Sequence, residues 1–187
     1  MNTPENFPLN YNPIPNKDSP YFIAIDTGTR NIAFAVFKVD FHARVFSVVE
    51  LVYLRRDLEK YCPTEQEKML YINQYAWQLF LKYKPFIIVF EIIALTSAPH
   101  YKLSGVIAAQ NVTGQLILSA GSLGIPYKAL PPTQIKYITA GHSKASKERI
   151  QIAVDALLQH SQPLVLKVNH IADSVAIGYT YLKTSFN

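Results

Sequence analysis

The chain has 187 residues, 49% hydrophobic and 17% charged, a composition typical of a single globular domain. Its formal net charge of +5 allows an anionic partner such as nucleic acid, although an excess of this size also occurs in proteins without one. No apolar run approaches the roughly 20 residues that a transmembrane helix needs, so we expect no membrane association.

The N-terminal stretch and the cysteine content bear on location. Cys62 is the single cysteine and cannot form a disulfide within the chain. Residues 1–20 contain neither the basic nor the apolar stretch of a secretory leader, so we expect a cytoplasmic protein, or one inside a host cell or organelle if it is viral or organellar. These residues are rich in Pro and Asn, which predicts an extended or disordered arm ahead of a domain at 21–187.

Three β-rich runs follow the arm. "YFIAID" (21–26), "NIAFAVFKVD" (31–40) and "RVFSVVELVYL" (44–54) are predicted strands with short connections between them. Gly28 permits a sharp turn after the first strand. The short connections predict an antiparallel three-stranded meander.

A predicted helix and a buried strand come next. Residues 64–83 have apolar positions at helical spacing, and Thr64 is the predicted N-cap. "PFIIVFEII" (85–93) is a continuous apolar run bounded by Pro85 and is typical of a fully buried strand. A helical crossover between the third and fourth strands predicts that these two strands form a parallel pair.

The remaining residues are predicted to be mainly helical. A long helix over 99–124 is followed by a short fifth strand, "IPYKAL" (125–130), and by helical segments at 132–141, 143–159 and 168–182. This order predicts an α/β protein with a ribonuclease-H-like fold. Its five-stranded mixed sheet would combine the antiparallel meander with parallel strands, and helices would flank the sheet.

The "DTGT" sequence after the first strand is compatible with three kinds of chemistry. An aspartic protease would need a second such loop or a dimer of short all-β subunits, which the helical C-terminal half does not favour. A kinase or actin-like ATPase would need a longer chain with a second glycine-rich phosphate loop, and no nucleotide cofactor is expected. A nuclease would need further acidic residues that converge on Asp26 to hold hard divalent cations.

Two further acidic positions meet this demand. Glu91 is the one ionisable residue in the apolar fourth strand, where a carboxylate is costly unless it is paired, metal-bound or turned to solvent at the strand end. His170 and Asp173 are three residues apart and share one face of the last helix, which could also be a polar stripe on a surface helix. Together with Asp26, these residues favour a nuclease.

The motifs resemble those of the RuvC-type Holliday junction resolvases. "PTQIKYITAGHSKASKERI" (132–150) is similar to the family's proline, Val/Ile-Lys, glycine and Ala-x-Lys-x-x-Val/Ile pattern. "FIAIDTGTRNIAFAVF" (22–37), "IVFE" (88–91) and "HIADSVAIG" (170–178) resemble the acid-bearing strands and the C-terminal helix. The resemblance implies an endonuclease that resolves four-way DNA junctions with paired symmetric nicks.

The resemblance also implies a set of site residues and cofactors. The metal-binding catalytic set would be Asp26, Glu91, His170 and Asp173. These residues would hold Mg²⁺, and the His170 imidazole suggests that Mn²⁺ is accepted too, with two ions at each site. Lys147 would be catalytic and would also contact DNA.

Further residues are expected to contact DNA: Lys136, Lys144, Arg149, Arg30 and Tyr101. Tyr101 is the expected residue that enters the junction centre, and Leu95 is the alternative for that role. A two-fold symmetric substrate implies a homodimer, with the small-residue helix at 100–120 at or near its interface. Two alternatives stay open: a nuclease with relaxed specificity for flaps, forks or RNA, and an inactive junction-binding protein.

Overall fold

A computed structural model describes residues 18–92, 103–158 and 168–186. These residues form five strands and six helices. The elements in chain order are β1 (Tyr21–Asp26), β2 (Ala33–Asp40), β3 (Val45–Tyr53), α1 (Arg55–Tyr61), α2 (Glu65–Tyr83), β4 (Ile88–Glu91), α3 (Leu103–Ser122), β5 (Tyr127–Leu130), α4 (Pro132–Ala140), α5 (Lys147–Leu157) and α6 (Asn169–Ser185).

The strands form one mixed sheet in the order β3-β2-β1-β4-β5. β1, β2 and β3 are antiparallel neighbours, as the predicted meander requires. β4 pairs in parallel with β1 and with β5. The predicted pairing of the third and fourth strands is wrong, because β2 and β1 lie between them; they run in the same direction without being neighbours.

Each face of the sheet carries its own apolar core. Phe22 and Ala24 of β1 pack with α4, α5 and α6 on one face. Ile23 and Ile25 of the same strand pack with α1, α2 and α3 on the other. A strand that is buried on both faces must be apolar at every position, which explains the continuous run before Asp26.

Helix α6 lies close against the sheet at Gly178. A Cβ atom at this position would lie 2.1 Å from the ring of Phe37, which is fully buried and stacks on Phe22 with ring centroids 4.7 Å apart. The absence of a side chain at Gly178 therefore permits this close packing. The packing places the N-terminal turn of α6 beside the carboxyl end of β1.

Thr64 caps α2 as predicted, and its hydroxyl accepts from the backbone N–H of Glu67 while the Glu67 carboxylate accepts from the Thr64 backbone. Helix α1 was not predicted. No helix within the described ranges is long and apolar enough to cross a membrane.

Candidate active site

Asp26 is the last residue of β1, beside the carboxyl end of the neighbouring parallel strand β4. The chain then turns tightly back toward β2. At Gly28 an added Cβ would lie 2.6 Å from the backbone oxygen of Asn31, so this turn requires glycine because of close backbone approach. On the other side of the turn, the Thr27 and Thr113 hydroxyl oxygens share a hydrogen bond of 3.0 Å, which links the turn to α3.

Asp26 meets the last helix across the edge of the sheet. The Oδ2 atom of Asp26 lies 2.6 Å from Nδ1 of His170, the second residue of α6. Asp173 follows one turn later on the same helix. Ligand atoms of Asp26, His170 and Asp173 all lie within 4.8 Å of one another, so these three residues could hold a metal ion together.

Glu91 ends β4 and lines the same cleft as these three residues, outside the group within 4.8 Å. Burial raises the pKa of the Glu91 carboxyl to about 7, and the negative charges of Asp26 and Asp173 add to the increase. Burial also raises the pKa of Asp173 to about 6, again with a contribution from Asp26. Burial and mutual repulsion both disfavour the charged forms of these carboxylates, and a divalent cation would offset both effects.

Two lysines also line the cleft. Lys136 lies on α4, which begins with Pro132 at its first position, and Lys147 is the first residue of α5, which Ser146 caps. The positive charges of both lysines lower the pKa values of Glu91 and Asp173, against the effect of burial. The cleft is thus acidic at the ends of β1 and β4 and on α6, and basic on α4 and α5.

The other residues predicted to contact DNA lie outside the cleft. Arg30 is exposed on the turn after Asp26, Lys144 is exposed on the loop before α5, and Arg149 is exposed on α5 itself. Tyr101, predicted to enter the junction centre, and its alternative Leu95 lie outside the described residues.

Sequence reasoning missed Tyr53, the last residue of β3. Its ring lies nearly parallel to the His170 imidazole, with an interplanar angle of 15° and centroids 6.0 Å apart. Its hydroxyl donates to Oδ1 of Asn31 at 2.6 Å. A tyrosine at the end of a strand has no motif of its own, and finding it requires the register of three strands.

Comparison with known proteins identifies the family. The family described as "Crossover junction endodeoxyribonuclease RuvC" matches residues 22–181. The chain belongs to the RuvC family. A curated relative, the crossover junction endodeoxyribonuclease RuvC of Synechococcus sp. (strain WH7803), is 27% identical over 158 residues, which cover 84% of this chain and 95% of the relative. The predicted enzyme class is confirmed.

Solved structures of RuvC and of a viral resolvase share the fold. Thermus thermophilus RuvC, determined in complex with a Holliday junction substrate, superposes with a TM-score of 0.71 at 22% identity over 89% of this chain and 94% of the other. The fowlpox virus resolvase, determined with Holliday junction DNA, gives 0.54 at 13% identity over 87% and 99%. The predicted ribonuclease-H-like arrangement is confirmed.

Proposed function

We propose that this RuvC-family chain resolves four-way DNA junctions by metal-dependent hydrolysis of phosphodiester bonds, with paired symmetric nicks in opposed strands. The observation that carries the proposal is the cleft, where Asp26, His170 and Asp173 approach within 4.8 Å of one another beside Glu91 and face Lys136 and Lys147. The Thermus relative with the same fold was determined with a Holliday junction substrate, which supports this substrate class.

The donor set of the cleft fits divalent cations. Asp26, Glu91 and Asp173 offer carboxylate oxygens, which suit Mg²⁺, and His170 adds an imidazole nitrogen, which favours acceptance of Mn²⁺. The raised pKa values of Glu91 and Asp173 give this set a need for positive charge. We infer two ions at each site; when bound, they supply Lewis acidity for a water nucleophile and charge stabilisation for the leaving oxygen.

The lysines of the cleft act on the scissile phosphate. Lys147 is exposed at the start of α5 but faces the carboxylates, and in this position its ammonium group stabilises negative charge that develops on the non-bridging phosphate oxygens. Lys136 is half-buried on α4 and binds the DNA backbone next to the scissile phosphate. Further out, Lys144, Arg149 and Arg30 contact other phosphates, so the affinity for the junction falls steeply with salt.

Helix α3 supports a homodimer. The helix contains no charged residue, and four of its exposed positions recur every three or four residues along one stripe. The stripe consists of Ile107, Asn111, Gly114 and Leu118. Leu118 is 72% exposed and Ile107 is 45% exposed, which are unusual values for large apolar side chains on a helix without charges. A second copy of the chain that packs on this stripe would place two active sites on one two-fold symmetric junction.

Replacement of Asp26 tests the proposed site. An Asp26→Asn variant should still bind a synthetic four-way junction in a gel-shift assay, while its cleavage rate falls by at least about a hundredfold because a charged metal ligand is lost. The matched control is Asp40→Asn, since Asp40 lies at the opposite end of the sheet and accepts from two turn N–H groups that an amide oxygen also serves. Cleavage by Asp26→Asn at the wild-type rate would remove Asp26 from the mechanism.

A further inference from the structure

Asp26, Ala33 and Tyr53 form one row across three neighbouring strands. Asp26 pairs with Ala33 between β1 and β2, and Ala33 pairs with Tyr53 between β2 and β3. Directly opposed residues of antiparallel strands present their side chains on the same face of the sheet. Ala33 is fully buried and places only a methyl group between the carboxylate and the phenol ring, on the face that α6 covers.

The imidazole of His170 contacts both ends of this row. On one side its Nδ1 atom is 2.6 Å from Oδ2 of Asp26, and on the other its plane stacks on the Tyr53 ring at an angle of 15°. The imidazole is therefore held at its edge by a hydrogen bond and on its face by an aromatic contact. An offset stacked arrangement is a favoured geometry for such rings.

Tyr53 is itself fixed by the turn that follows Asp26. Its hydroxyl donates to Oδ1 of Asn31 at 2.6 Å, and the next residue, Leu54, donates its backbone N–H to the Ile32 oxygen at 3.2 Å. The end of β3 is thus bound to the start of β2 through side-chain and backbone hydrogen bonds. Asn31 lies in the same turn whose close approach requires Gly28, so the contacts form a closed path from Asp26 back to His170.

We propose that Tyr53 is a positioning residue for His170. By stacking on the imidazole it restricts rotation of the ring, so that the nitrogen stays directed toward Asp26 and the metal position. The inference rests on the metal site proposed above. Residues that contact a metal-ligating histidine and orient it, without binding the metal themselves, typically change metal affinity by about 10- to 100-fold when they are removed.

Direct measurement of Mn²⁺ binding tests this role without relying on cleavage. Electron paramagnetic resonance of free Mn²⁺ would give the affinity of the full chain and of its Tyr53→Leu and Tyr53→Phe variants. The matched control is Tyr179→Leu, because Tyr179 also joins α6 to β3 through an aromatic contact, with Phe46 at 6.1 Å, but is remote from the cleft. Thermal unfolding of each variant separates loss of stability from loss of metal affinity.

We expect Tyr53→Leu to weaken Mn²⁺ binding by about tenfold, and Tyr53→Phe to weaken it less, since the ring is retained and the hydrogen bond to Asn31 is lost. Tyr179→Leu should bind Mn²⁺ as the wild type does. In a His170→Asp background, Tyr53→Leu should have no further effect, because an aspartate has no ring to orient. If Tyr53→Leu does not fold, Tyr53→Phe is compared with Tyr179→Phe instead. Weaker Mn²⁺ binding by Tyr53→Phe supports the positioning role of Tyr53, and equal binding overturns it.

Two different failures can be told apart. A wild-type chain that binds no Mn²⁺ would overturn the metal site and, with it, the role of Tyr53. A wild-type chain that binds Mn²⁺ while Tyr53→Leu binds it within twofold as tightly would overturn the role of Tyr53 alone. The same conclusion follows if Tyr53→Leu weakens binding equally in the wild-type and His170→Asp backgrounds.

Discussion

Glu91 and Asp173 link the stability of the metal-free protein to pH. In the folded chain their pKa values are about 7 and about 6, above the ordinary values of 4.5 and 3.8. Between about pH 4 and pH 7 the folded chain therefore holds more protons at these sites than the unfolded chain does. The stabilisation is fully present below the unfolded pKa values and is lost as pH rises through the folded ones.

We therefore predict that the free energy of unfolding falls between about pH 4 and pH 7 when metal is removed with a chelator. Each pKa unit corresponds to about 1.4 kcal/mol, so the two shifts together amount to roughly 6 kcal/mol. Urea unfolding measures it, and Glu91→Gln should flatten the dependence while Mg²⁺ restores stability at the higher pH. A Glu91→Gln variant with the same pH dependence as the wild type would contradict this assignment.

Lys147 is predicted to affect catalysis more than binding. Lys147→Ala should lower the cleavage rate at saturating junction by about a hundredfold, because a charge beside the phosphate is lost. The acidic limb of the pH–rate profile should also move to higher pH, since Lys147 lowers the pKa values of both Glu91 and Asp173. The control is Arg149→Ala, on the same helix but outside the cleft, which should weaken binding and its salt dependence without changing the saturated rate.

An unchanged saturated rate for Lys147→Ala would assign this lysine to binding alone.

Among single residues, the acidic and basic positions of the cleft were all accessible to sequence reasoning, because each belongs to a motif or interrupts an apolar run. Tyr53 was not accessible. Its place in one row with Ala33 and Asp26 depends on an irregularity in the pairing of β2 with β3 between Val36 and Phe37, which changes the strand register and leaves no trace in the sequence pattern.

At the scale of elements, α3 is predicted to hold two copies of the chain together. Leu118→Lys would place a charge in the apolar stripe and should shift the protein toward monomers in sedimentation experiments. The coupled second nick should then become slower than the first. The control is Leu70→Lys on α2, because Leu70 is a similarly exposed leucine at 57% that lies outside the stripe. A dimer that is unaffected by Leu118→Lys would place the interface elsewhere.

Helix α1 shows what the pattern of apolar residues cannot reveal. The helix spans only Arg55–Tyr61, its N-cap Leu54 makes no side-chain cap, and Leu58 is its one fully buried apolar residue. A single buried position gives no helical period, so the segment resembles a polar connection. Helix α2 has both a cap at Thr64 and a long apolar face, and it was predicted closely.

At the scale of the whole molecule, the order of strands and helices predicted the fold class, but not which strands are neighbours. A helical crossover indicates that β4 runs in the same direction as β3. That condition is met both when β4 pairs with β3 and when β4 pairs with β1. The structure places β4 beside β1, which brings Glu91 next to Asp26. The convergence of the acidic residues is thus a property of the topology. Four separate sequence motifs predicted the convergence, but they did not predict the strand pairing that produces it.

Resolution of four-way junctions by the cleft with divalent metal can be measured directly. The direct measurement is incubation of the wild-type chain with a synthetic junction labelled on each strand in turn, in Mg²⁺ or Mn²⁺ and in a chelator, beside three-way, flap, fork and RNA substrates. We predict metal-dependent nicks at symmetric positions in two opposed strands, which ligase can seal, and slower cleavage of the other substrates. Equal cleavage of flaps, forks or RNA would contradict specificity for four-way junctions, and junction binding without cleavage in either metal would contradict the nuclease activity.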